Sequence, residues 1–89
     1  MLYMVLEHFR DGEGREVYER FRAKGRMAPK GVEYVDSWVD TDVRRCWQLM
    51  RTDDVRLLHE WASNWSDIVD FEFIPVITGR EAAAKVLGS

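Results

Sequence analysis

The chain has 89 residues, of which 46% are hydrophobic and 33% are charged, as expected for one soluble globular domain spanning residues 1–89. Its net charge of −3 disfavours general nucleic-acid binding, which requires a basic surface. No apolar run approaches the roughly 20 residues of a membrane-spanning helix, so we expect neither a nucleic acid nor a membrane as a partner.

The first nine residues alternate between two sets of side chains, as in a β-strand. One set is Leu2, Met4, Leu6 and His8, and the other is Tyr3, Val5, Glu7 and Phe9. Because both sets are largely apolar, the pattern predicts a central strand that is buried on both faces.

A helix is predicted from about Gly14 to Ala28, where apolar and small residues recur on one stripe at helical spacing. Gly25 lies on that stripe, and its missing side chain would let the helix approach the sheet closely. Pro29 and Gly31 end the helix.

Residues 32–40 and 44–51 are predicted as the strands of a hairpin that turns at Thr41-Asp42. Pairing Asp40 with Val43 divides the side chains between two faces. One face holds Glu33, Val35, Ser37, Val39, Arg44, Cys46, Gln48 and Met50. The other holds Tyr34, Asp36, Trp38, Arg45, Trp47 and Leu49. A slip of one residue would exchange the two sets.

A second long helix is predicted from an N-cap at Thr52 to about Trp65. Its buried stripe consists of Leu58, Trp61, Ala62 and Trp65. The last strand, Asp70–Ile77, contains Pro75, which has no backbone donor and therefore predicts a sheet edge or a bulge.

A short C-terminal helix, Glu81–Leu87, completes the prediction. Thr78 and Glu81 have the spacing of a capping box at its start, and Gly88 ends it.

The order β-α-β-β-α-β predicts an α+β, ferredoxin-like fold with an antiparallel four-stranded sheet in the order 4-1-3-2. Both long helices would then cover one sheet face. The other face would expose a large apolar patch unless a second copy packed against it. We therefore expect a homodimer in which two sheets face each other, a dimeric α/β barrel.

Four segments resemble one bacterial family, the domain of unknown function 3303. They are MLYMVLEHF, RFRAKGRMAPKGVEYVDSWV, RCWQLMRTDD and WSDIVDFEFIPVIT, which together reach roughly residues 1 to 84. The resemblance implies a dimeric α/β-barrel fold and no established activity. The layout is more distantly similar to antibiotic-biosynthesis and haem-degrading monooxygenases, whose cavities hold an aromatic substrate or a haem.

The residues that mark the haem-degrading relatives are mostly missing. Met50 stands where those enzymes have a distorting Trp, and Glu60 stands where they have a ligating His, one position after His59. The first strand also lacks their Asn. Haem degradation is therefore disfavoured, and no cofactor is predicted.

Two histidines are candidate catalytic groups, because histidine titrates near neutral pH. His8 follows Glu7 at the end of the first strand, where it could act as a general base or a polar anchor at the mouth of a cavity; the alternative is a strand-end histidine satisfied by solvent or backbone. His59 lies beside the buried helix stripe and could be an acid–base group or simply a half-buried residue. The spacing of histidines and cysteine predicts no metal site.

The single cysteine, Cys46, excludes an internal disulfide and is compatible with a reducing compartment. No basic-then-apolar leader opens the sequence, so we expect a cytoplasmic protein. Cys46 itself is interpreted as a small buried hydrophobe, since a catalytic thiol needs a nearby base.

The predicted hairpin face that holds Gln48, Ser37 and Met50 is mostly apolar with a few polar groups, which is typical of a ligand pocket. A dimer interface has the same pattern, and both interpretations stay open.

Two functions follow, and the sequence does not decide whether the protein is an enzyme. The first is a homodimer that binds a small apolar or aromatic metabolite. The second is a cofactor-independent monooxygenase or isomerase, in which Glu7, His8, Gln48 and His59 position the substrate and move protons. A weaker third hypothesis is a subunit of a larger complex that docks through Arg44 and Arg45.

Overall fold

The structure, a computed structural model, describes residues 1–10, residue 12 and residues 14–88. Its elements are β1 (Leu2–Phe9), α1 (Arg15–Lys24), β2 (Val32–Val39), β3 (Arg45–Thr52), α2 (Val55–Ser63), β4 (Val69–Val76) and α3 (Gly79–Leu87). The order β-α-β-β-α-β with an added C-terminal helix confirms the prediction. No helix in the described part of the chain is long and apolar enough to cross a membrane.

The four strands form one antiparallel sheet in the order β2-β3-β1-β4. This is the predicted order 4-1-3-2, seen from the opposite edge. β1 is central, so Leu6 lies between Trp47 of β3 and Glu72 of β4. β4 is an edge strand, which tolerates Pro75 because its missing donor is not needed by a further strand.

The two sheet faces differ in what covers them. Val5, Glu7 and Phe9 of β1 are buried on the face that packs against α1 and α2. The core formed there consists of Val5, Phe9, Val17, Cys46, Met50, Leu58, Trp61, Ala62, Trp65, Ile68 and Val69. The stripe predicted on the second long helix is therefore confirmed: its four residues are all buried.

The opposite surface, here called the open face, is not covered by α1 or α2 within the described residues. It consists of Leu2, Met4, Leu6 and His8 of β1, Glu33, Asp36 and Trp38 of β2, Arg45, Trp47, Leu49 and Arg51 of β3, and Asp70, Glu72, Ile74 and Val76 of β4. The centre of the open face is apolar, and charged side chains lie around its rim.

The hairpin register differs from the prediction in two ways. The Asp40 N–H donates to the Arg45 carbonyl, so Asp40 pairs with Arg45 and not with Val43. Val43 lies within the turn, where its N–H donates to the Asp40 carbonyl and its backbone is left-handed with φ 55°. The register therefore shifts by two residues, and Trp38 lies opposite Trp47, not Arg45. A shift of two preserves the faces, so Ser37 still shares a face with Gln48.

The prediction also holds for Val39, Cys46 and Met50, but a β-bulge between Tyr34 and Asp36 makes it wrong for the β2 residues that precede the bulge. The extra residue reverses the alternation upstream, so Tyr34 lies opposite Met50 on the helix-covered side, while Glu33 lies opposite Arg51 on the other.

Two predicted helix ends are also wrong. The first helix ends at Lys24, not Ala28, because Gly25 takes φ 70° and its N–H donates to the Phe21 carbonyl. The second long helix is capped by Asp54, whose side chain accepts from Arg56 N–H. Thr52 is instead the last residue of β3, where its hydroxyl donates to the Gly31 carbonyl, 2.8 Å away.

The C-terminal helix has the predicted cap but begins at Gly79, before the predicted start at Glu81. Thr78 and Glu81 form a capping box, and Gly88 ends the helix in the left-handed conformation.

Candidate functional site

A cavity of about 200 Å³ lies between the sheet and helices α1 and α2. It is lined by Glu7, Phe9, Val17, Tyr18, Phe21, Arg26, Ser37, Cys46, Gln48, Trp61 and Trp65. Six of these are aromatic or aliphatic, and the polar groups come from the sheet and from the segment that follows α1.

The sheet register brings the polar groups of the wall together. Glu7 of β1 lies opposite Cys46 of β3, and Gln48, two residues further on, lies opposite Ser37 of β2. Residues two apart on one strand share a face, so three strands contribute to one polar patch. This patch is the floor of the cavity.

A hydrogen-bonded chain runs through the floor from a cation to a buried acid. Arg26 Nε donates to Gln48 Oε1 over 2.8 Å, and Gln48 Nε2 donates to Glu7 Oε2 over 2.8 Å. Only 7% of Glu7 and 5% of Gln48 is exposed to solvent. The amide of Gln48 therefore connects the guanidinium to the carboxyl group.

Burial raises the pKa of Glu7 to about 7. The hydrogen bonds from Gln48 and Cys46, and the charge of Arg26, oppose this shift only in part. A carboxyl group with this pKa exchanges a proton readily at neutral pH, which suits acid–base chemistry or recognition of a hydrogen-bond acceptor.

The other titratable groups of the wall stay protonated at neutral pH. Burial, and then the charge of Glu7, raise the pKa of Cys46 to about 12. Burial also raises the pKa of Tyr18. A thiol with so high a pKa is a poor nucleophile, in keeping with the interpretation of Cys46 as a small hydrophobe.

Arg26 is fixed from several sides. Its carbonyl oxygen accepts hydrogen bonds from the indole N–H groups of both Trp61 and Trp65, each 3.0 Å long. Its guanidinium carbon lies 3.7 Å from the centre of the Tyr34 ring and 5.2 Å from that of Phe21. Stacking and hydrogen bonding hold the charge in place before any ligand arrives.

The structure brings together three of the predicted site residues: Glu7, Gln48 and Ser37. Met50, which we also predicted as a ligand-binding residue, is fully buried opposite Tyr3 and is not part of the cavity wall.

The two histidines lie away from this cavity. His8 is exposed on the open face, because adjacent strand residues point to opposite sides. His59 is exposed on α2, where its ring meets Phe73 edge-on at 4.7 Å. The structure therefore does not assemble the four-residue set that includes both histidines. In the described residues, no three His, Cys, Asp or Glu side chains are grouped to hold a metal ion.

Arg26 is the site residue that the sequence prediction missed. The predicted helix runs through Arg26 to Ala28, whereas the chain leaves the helix at Gly25 and turns Arg26 toward the sheet. A glycine followed within four residues by Pro29 is a helix-end signal that could have identified this segment.

The fold and the cavity define an α+β protein with one open antiparallel sheet and a pocket beneath its two long helices. The chain matches the family described as domain of unknown function DUF3303 over residues 1–88, and it belongs to that family. Neither a curated protein nor a solved structure matches the chain.

Proposed function

We propose that the protein binds a small, mainly aromatic or apolar metabolite in the cavity between the sheet and the long helices. The observation that carries this proposal is the carboxyl group of Glu7, buried among aromatic side chains and bonded to Gln48. Burial of an acid is costly and adds nothing to a hydrophobic core, whereas a few polar groups in an apolar wall are typical of ligand sites.

The size of the cavity restricts the ligand. About 200 Å³ is below the 300–1,000 Å³ of most drug-sized sites, but an apolar cavity of about 150 Å³ accepts benzene. The space therefore suits one ring with a small polar substituent, which would lie against Trp61 and Trp65.

A matched pair of substitutions tests the proposal. Val17 lines the cavity, so Val17→Phe should fill part of it, whereas Val86→Phe adds the same ring at a side chain that is 82% exposed on α3. Native mass spectrometry of freshly purified protein would detect a co-purified compound, and NMR titration with single-ring compounds would measure binding. We expect binding to wild type and Val86→Phe and its loss in Val17→Phe. Equal binding by both variants would place the ligand elsewhere and contradict the proposal.

The proposal includes a second copy of the chain on the open face. The centre of that face is apolar, with Trp47 and Leu49 half-buried and Ile74 37% exposed. Arginines on β3 and carboxylates on β4 give a second copy groups of opposite charge to meet at the rim of the face. An 89-residue chain buries only about 60–65% of its unfolded surface, so covering this face would add stability that a small domain needs.

A second candidate function is an enzyme, a cofactor-independent isomerase or monooxygenase. Glu7 favours the isomerase, because a carboxylate with a pKa near 7 can remove a proton from a carbon beside a carbonyl group. The C–H electron pair moves into an enolate, and the protonated Glu7 then returns the proton to the enolate. Incubation of a bound keto compound in D₂O tests this. Glu7→Gln should retain binding and lose deuterium incorporation. Incorporation that persists in Glu7→Gln would exclude Glu7 as the base.

A further inference from the structure

The cavity wall carries the positive charge of Arg26, and it carries a negative charge only when Glu7 is ionised. Arg26 supplies a guanidinium cation. Glu7 is the only acidic side chain in the described wall, and its burial favours the neutral form near pH 7. Cys46 and Tyr18 remain neutral, as derived above. The net charge of the wall therefore lies between 0 and +1.

The guanidinium of Arg26 retains unused donors. Its Nε donates to Gln48, but among residues 1–10, 12 and 14–88 its two terminal nitrogens have no hydrogen-bond partner. The group is nevertheless held in place by the ring of Tyr34 and by the two indole hydrogen bonds to its carbonyl. A fixed cation with free N–H groups at an aromatic cavity is arranged to bind an anion.

We propose that the ligand is a planar, single-ring acid, whose anionic group pairs with Arg26 while its ring packs against Trp61 and Trp65. This inference rests on the proposed function, since it names the chemical class that the same cavity would take. A neutral ligand would leave the free guanidinium donors of Arg26 unused, and a ligand cation would meet a wall whose net charge is never negative.

The arrangement also predicts that binding takes up a proton. An anion beside Arg26 repels an ionised Glu7, so the complex favours the protonated carboxyl. The other titratable or charged groups that face Glu7 are Cys46 on β3, Tyr18 on α1 and Arg26 after it. The neighbours from α2 and β4 are Trp61 and Phe71, which do not titrate. Affinity for an acid should therefore rise as the pH falls from 8 to 6.

Benzoate and benzamide test the inference on the wild-type protein. They have nearly the same shape, but only benzoate is charged at neutral pH. We would follow the indole N–H signals of Trp61 and Trp65 by NMR at constant ionic strength. We expect benzoate to bind about tenfold more tightly than benzamide or better, as a charged hydrogen bond allows, and to gain affinity at pH 6.

Substitution of Arg26 identifies the group responsible. Arg26→Gln should reduce benzoate binding to the benzamide level and leave benzamide unchanged, while Arg22→Gln, at an exposed position in the last turn of α1, should change neither. The wild-type comparison stands even if Arg26→Gln does not fold.

The possible failures are distinguishable. Benzamide binding as tightly as benzoate in the same cavity would overturn the inference and leave the proposed function in place. If neither compound, nor any other single-ring compound, moved the two indole signals, both would be overturned.

Discussion

Glu7 and Gln48 lie on adjacent antiparallel strands and share a buried hydrogen bond of 2.8 Å beneath the two long helices. Gln48 in turn accepts a bond from Arg26, so a carboxyl group and a guanidinium that do not touch are connected through one amide. These hydrogen bonds make the floor of the cavity polar, and their contribution to the free energy of unfolding can be measured.

The first prediction concerns the pH dependence of folding. The pKa of Glu7 is raised from 4.5 to about 7 in the folded state, so between these values the folded protein binds more protons than the unfolded chain. The resulting stability is complete below pH 4.5 and is lost as the pH rises through 7. A shift of this size corresponds to about 3 kcal/mol. Urea unfolding of wild type and Glu7→Gln across this pH range checks the prediction. The substitution should flatten the slope of the free energy of unfolding against pH. An unchanged slope would exclude Glu7 as the source of the pH dependence.

The second prediction concerns the bond itself. Gln48→Met removes both of its hydrogen bonds at nearly constant volume and should lower the free energy of unfolding by about 1–3 kcal/mol, because it leaves the buried Glu7 carboxyl with fewer partners. A double-mutant cycle with Glu7→Gln isolates the coupling. The coupling should be larger at pH 8 than at pH 5, since an ionised carboxyl depends more on its donor. Additive effects at both pH values would show that the two residues act independently.

The third prediction concerns the turn at Gly25, which places Arg26 at the cavity. Gly25 takes φ 70°, and an added Cβ would meet no atom of the described chain within 4 Å, so Gly25→Ala would suffer backbone strain alone. We expect a loss of about 1 kcal/mol in thermal or urea unfolding. The matched control is Gly79→Ala at the start of α3, which also has free space but no positive φ, and which should be neutral or stabilising. Equal effects at the two glycines would argue against the strained turn.

The fourth prediction concerns the observed N-cap of α2. Asp54→Ala should cost about 0.5–2 kcal/mol, because the carboxylate accepts from the Arg56 N–H at the start of α2. Asp53→Ala is the control, since its side chain is fully exposed and only approaches the N-terminal ammonium. A larger loss for Asp53 would contradict the assignment.

The fifth prediction concerns assembly. Light scattering should give about twice the 10.5 kDa chain mass. Leu49→Lys places a charge at the centre of the open face and should yield monomers, whereas Val86→Lys, on an exposed turn of α3, should not. A monomeric wild type at micromolar concentration would refute the dimer. If Leu49→Lys remains dimeric, the interface does not lie on the open face.

Much of the fold could be predicted because periodicity reports directly on burial. The alternation of β1 indicated a central strand, and the stripe through Leu58, Trp61, Ala62 and Trp65 marked the packing face of α2 and of the turn that follows it. Pro75 indicated an edge for β4, and the spacing of Thr78 and Glu81 indicated the start of α3. These are local signals, each fixed by the backbone geometry of a single element.

The candidate site was less predictable because it depends on where the chain departs from regular geometry. The bulge at Val35 places Tyr34 on the same side as Ser37, and no residue pattern in β2 predicts this bulge. The early helix end at Gly25 brings Arg26 to the cavity. Strand alternation alone places His8 and Glu7 on opposite faces of the sheet, so their separation follows from the sequence.

The measurement that tests the central claim most directly is a crystallographic screen of the wild-type protein with single-ring compounds, both anionic and neutral. We predict electron density for a ring in the cavity between Glu7, Gln48 and Trp61, with the anionic compounds oriented toward Arg26. A cavity that remains empty in every crystal, with compounds bound only at other surfaces, would contradict the account.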